Sequence, residues 1–149
     1  MAAYQYDPAT VYLVLVVPGL LTGPLEGFAK GTFITIRREV PTFRLIPGIA
    51  GQCTSGRNQS TRGTISFVLE QASPTNLALT AVQALDRKTG AGVFPVGMWD
   101  RSSLAEFAGA PLSRLEGIPP NEKGDAPGTV RWRIIAPDLL MTHGGLRQV

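Results

Sequence analysis

Residues 62–90, RGTISFVLEQASPTNLALTAVQALDRKTG, change hydrophobic period partway along, and that change decides the fold class. Over residues 64–70, Ile65, Phe67 and Leu69 alternate with Thr64, Ser66 and Glu70. A two-residue period is that of a strand with one face on a core. From Ser73 the apolar residues recur at helical spacing: Leu77, Ala81 and Leu85 on one stripe, widened by Leu79 and Val82. Ser73 is expected as N-cap, with Pro74 at the first helical position, where its missing N–H costs nothing. Arg87 and Lys88 suit the negative end of the helix dipole, and Gly90 the stop, so a helix is expected over 74–88.

Outward from this unit the chain reads as strands. Residues 11–17 are apolar on both faces, which fits a strand covered on two sides. Pro18-Gly19 and Gly23-Pro24 mark a turn region. In 32–38, Phe33, Thr35 and Arg37 point one way and Ile34, Ile36 and Arg38 the other, until Pro41 ends the run. Residues 93–99 form a further strand, with Pro95 implying an edge. Residues 105–110 are a possible strand and 117–128 a surface loop. Val130, Trp132 and Ile134 alternate with Arg131 and Arg133, and 138–141 extend this closing strand.

Residues 42–63 stand apart. They are long, rich in Gly and polar residues, and hold apolar Phe43, Leu45, Ile46 and Ile49. Loops of this length usually bind or function. The four apolar side chains need burial against a partner, or within the chain if the segment is a tucked-in hairpin.

The chain has 149 residues, enough for one domain spanning 1–149, with no repeat or linker. Charged residues make up only 17% and the net charge is +3, without a basic run of the kind that holds DNA tightly. One cysteine excludes an intrachain disulfide and fits assembly in a reducing cytoplasm. No stretch reads as a membrane span or a signal peptide. His143 is the only histidine, Cys53 has no histidine beside it, and Asp86, Asp100 and Asp138 read as solvated capping residues. Catalytic, metal and cofactor sites are therefore all expected to be absent.

The string GFAKGTFITIRRE at 27–39 resembles the opening of a phage structural family, "G-F-a-x-G-T-F-I-x-I-x-R". The resemblance continues through RGTISF at 62–67, QASPTN at 71–76, DRKTGAGVFP at 86–95, and DLLM at 138–141 with Gly144-Gly145. That family resembles the tail-tube proteins of contractile-tailed bacteriophages (myoviruses), related in fold to the tubes of tailocins and to the haemolysin-coregulated protein of type VI secretion. The likeness departs at residues 11–21 and 102–128.

The resemblance implies a mainly β fold: a two-sheet β-barrel or sandwich of the phage tail-tube type, with one flanking α-helix and a long extended loop. It implies a structural virion protein of the phage tail, assembled in the host cytoplasm. Homohexameric rings stack into a tube that conducts DNA from capsid to host cell. Its partners would be further copies, the tail sheath, and the baseplate and tail terminator proteins, with DNA in transient passage and no membrane. The alternative is the tube protein of a tailocin or type VI-like injection system; a ligand-binding β-barrel is a third reading. In this frame Phe43, Leu45, Ile46, Ile49, Arg57 and Arg62 are expected as inter-subunit contacts, with 42–63 reaching the next ring. Thr64, Ser66, Glu70, Arg131 and Arg133 are expected to face the lumen.

Overall fold

The computed structural model describes residues 2–103, 106–145 and 148. Among the described residues there are ten strands and one α-helix, which falls between the sixth and seventh strands: β1 (Val11–Val17), β2 (Leu21–Pro24), β3 (Ile34–Arg38), β4 (Phe43–Pro47), β5 (Cys53–Arg57), β6 (Gly63–Glu70), α1 (Thr75–Thr89), β7 (Phe94–Asp100), β8 (Phe107–Leu115), β9 (Thr129–Ala136) and β10 (Leu140–Thr142). Ala105, part of an expected strand, lies outside the described residues. The sheet path runs β2-β1-β7-β8-β9-β6-β3, with β10 also on β8 and all pairs antiparallel. Strand β8 belongs to two sheets. Its first half pairs with β7 and β10, while Arg114 and Leu115 at its end pair with β9.

The two sheets fold over one core. Leu13, Leu15, Phe94, Val96 and Ala108 come from the first sheet, and Ile65, Phe67, Leu69, Trp132 and Ile134 from the second. Their register matches the sequence period, since Ile65 pairs with Ile134 and Phe67 with Trp132. The architecture is a β sandwich with one helix. Among the described residues it is not closed into a barrel, because β2 and β3 end the path without pairing.

Several expectations are corrected. The Leu77–Ala81–Leu85 stripe does not face the core; Leu79 and Val82 do, and Leu77 is 79% exposed. The Ser73 hydroxyl does not cap the helix. It donates to the Glu26 carbonyl, and Pro74 holds the cap position with no side-chain bond. The helix therefore runs one residue later than expected, and it ends as expected on left-handed Gly90. Strand β7 is central, not an edge. Pro95 is tolerated because it sits in a bulge between Phe94 and Val96, beyond the last β1 partner of that strand. Residues 21–24 are strand, not turn, and Pro24 is accommodated because β2 ends the sheet. Asp100 is buried, not solvated, and accepts bonds from the Thr10 and Ser102 hydroxyls and the Ser102 N–H.

Gly63 begins β6 where three elements meet. A Cβ there would strike the Leu139 side chain and lie 2.7 Å from the Arg37 carbonyl oxygen. Gly63→Ala should cost about 1–3 kcal/mol by overpacking. A urea unfolding midpoint lowered without a change in slope would show it.

Candidate assembly surfaces

Strands β3 and β6 form a hairpin whose ladder runs Ile34↔Phe67 to Arg38↔Gly63. One further bond, from the Glu39 N–H to the Arg62 carbonyl, extends it before Pro41 breaks the pairing. The chain resumes as a second hairpin, β4–β5, closed at its base by the Asn58 N–H on the Thr42 carbonyl at 2.7 Å. Residues 48–52 make its tip, where the Gly48 N–H bonds the Gln52 carbonyl and Gly51 takes φ +79°, a left-handed value that suits glycine. This two-stranded sheet pairs with no other strand among the described residues. Within the expected segment 42–63, residues 42–58 are thus an extended hairpin arm and not a tucked-in one, and 59–63 return the chain to β6.

Cross-strand pairs put Phe43, Leu45 and Pro47 on one arm face with Arg57, and Ile46 with Arg44 on the other. Phe43 is 63% exposed, Leu45 68% and Ile46 55%, and Ile49 at the tip is fully exposed. Arg57 is exposed as well. Arg62 belongs to the base and not to the arm, in an ion pair with Glu39 at 3.0 Å. So many bare apolar side chains on a thin hairpin are a liability unless a partner covers them.

The second surface is the outer face of the β3-β6-β9 sheet. Its rungs are Thr35–Ser66–Arg133, Arg37–Thr64–Ile135, Val68–Arg131 and Glu70–Thr129. All five residues expected at the lumen therefore share one face. Thr64 is corrected in exposure: it is buried, a short side chain in a central strand between Arg37 and Ile135. Arg133 pairs with Glu116 at 3.2 Å, so the face carries both signs of charge.

Two further exposed apolar surfaces were missed. One is the outer side of α1, with Leu77 and Leu85. Its signal lay in the sequence, because Leu77, Leu79, Ala81, Val82 and Leu85 wrap too far round a helix for all to meet one core. The other is the outer face of the first sheet. Tyr12 pairs with Trp99, and Trp99 with Phe107, whose ring centroids are 5.4 Å apart. The Trp99 ring lies where a Gly97 side chain would be, and the Phe107 ring where a Gly109 side chain would be. Arg101 stacks on Tyr12, its guanidinium carbon 5.1 Å from the ring centroid.

Among the described residues, no three His, Cys, Asp or Glu side chains gather as a metal site.

No protein-family model matches the sequence, and no curated protein matches it. Solved structures do resemble the fold. It is similar to the sheath/tube terminator of PVC, an extracellular contractile injection system, in its extended state: TM-score 0.61 at 9% identity, over 95% of this chain and 99% of that one. It is also similar to the tube-terminating cap of the anti-feeding prophage: TM-score 0.55 at 9% identity, over 94% of this chain and 92% of that one. At that identity the likeness is one of fold, shared almost end to end with proteins that end tubes in contractile particles.

Proposed function

We propose that this chain is a structural ring protein of a contractile tail or injection particle, and that its copies stack into the inner tube. The observation that carries this is the projecting arm, whose apolar side chains are largely exposed and whose strands pair only with each other among the described residues. A projecting arm suits a head-to-tail contact, which propagates a filament. The fold likeness to two contractile-particle proteins supports the setting. Hexameric rings, a sheath around them and DNA passing within belong to the same reading, which follows from the family resemblance. The mixed-sign face of β3-β6-β9 suits a lumen, because a dense cationic lining would add phosphate contacts and hinder sliding. No step of this function calls for catalysis.

The terminator likeness favours a second reading, in which the chain ends a tube instead of building one. A tailocin or secretion-type particle, passing protein in place of DNA, is a variant of the first. Negative-stain electron microscopy of the concentrated protein separates them. Hollow tubes of many rings are expected. Isolated rings that never lengthen would favour the tube-ending role, and small single particles that persist with baseplate components present would overturn both.

A further inference from the structure

The sheet path stops at β3, and the small strand β10 has β8 as its only partner among the described residues. Between them lies an open groove of about 530 Å³, lined by Val11, Phe33, Ile34, Ile36, Met98 and Met141. Asp100, Glu106 and His143 also line it, and among the described residues no Lys or Arg does. We propose that this seam receives the β4–β5 arm of a second copy. The inference rests on the ring-stacking reading and names the surface the arm enters.

Three features match occupant to seam. The arm is apolar at Phe43, Leu45, Ile46 and Ile49, and the seam offers an apolar floor. Residues 42–58 hold Arg44 and Arg57 and no acid, whereas Glu106 stands in the seam. The pairing is also continuous with sheet structure: β3 and both arm strands have unpaired edges, so an arriving strand can take up backbone groups while its side chains fill the groove.

Position favours a second copy over the chain's own arm. The arm leaves the C-terminal end of β3, after Arg38, while the seam is lined by residues 31–34 at the other end and reaches only as far as Ile36. Arm and seam thus lie toward opposite ends of one strand, an arrangement that suits head-to-tail repetition. Arm strands of five residues reach about 17 Å at about 3.4 Å per residue, enough to cross a subunit boundary.

The test places cations in the seam of the full chain. Glu106→Arg with Thr142→Arg should leave circular dichroism and melting unchanged and abolish tubes. Adding Arg44→Glu and Arg57→Glu to that variant should restore them, less so in high salt. Mixing the seam variant with a chain lacking residues 43–57 should yield a complex of twice the mass of either alone, by sedimentation. A seam variant that assembles at the native concentration, or two partial chains that never pair, would overturn the inference. The tube reading would survive the first result, as long as the native chain forms tubes. Partial chains that pair while the native chain forms neither rings nor tubes would support the seam and count against the tube.

Discussion

Replacing residues 43–57 with a two-residue turn is expected to leave a folded chain that melts within a few degrees of the intact protein and forms no tubes. The cut follows the structure. Thr42 and Asn58 already face each other across a 2.7 Å backbone bond, so a short turn closes the gap without moving the body. The deleted strands pair only with each other, and the 19 residues of the buried cluster all lie outside them. Shortening the excursion changes loop-closure entropy by only about 1 kcal/mol. A wider deletion of 42–63 would confound the result. Gly63 is a buried β6 residue, and the Thr61 carbonyl and hydroxyl are bonded to the Leu139 N–H and the Asp138 carboxylate. Calorimetry and electron microscopy on the same preparation give the two readouts. Tubes formed without the arm would remove it as the stacking contact, and loss of folding would make it part of the body.

The largest stability effect is expected at Trp132. This side chain is 2% exposed in the middle of β9, stands opposite Phe67, and donates its indole N–H to Asn76 of α1 at 3.0 Å. It therefore joins the second sheet to the helix as well as filling the core. Trp132→Ala should cost about 3–5 kcal/mol, from lost burial and the cavity left behind. A domain of this size holds on the order of 5–15 kcal/mol in all, so the variant should be marginal at 37 °C. Trp132→Phe keeps most of the ring and loses the bond, with an expected cost of about 1–2 kcal/mol. Urea unfolding of the three proteins checks the order. Trp132→Ala within about 1 kcal/mol of the native chain would show that the sheets and helix do not depend on this contact.

The parts of the fold legible from sequence are those where one local period has one structural outcome. Ile65, Phe67 and Leu69 had to share a face, as did Trp132 and Ile134, because alternation in a strand leaves no other choice. Gly90 ended the helix because few residues take its left-handed conformation cheaply. The outer rungs Ser66–Arg133 and Val68–Arg131 follow from the same alternation, so the five residues assigned to one face were found together.

What the tertiary structure decided were choices between outcomes that the residues alone left level. Five apolar positions on α1 allow more than one buried side, and packing beside β2 and β8 buried Leu79 and Val82. Pro95 reads as an edge residue, yet a bulge lets it stand in the central strand β7. As a cap the Ser73 hydroxyl would accept from a helix N–H, yet it instead donates to the Glu26 carbonyl, 47 residues away in sequence. The need of Phe43, Leu45, Ile46 and Ile49 for burial could be read from composition. That they stay exposed among the described residues depends on where Pro41 breaks the ladder and sends the arm outward. Local period is a property of neighbours in sequence, whereas exposure depends on what the rest of the chain places opposite, and only the assembled sheets supply that.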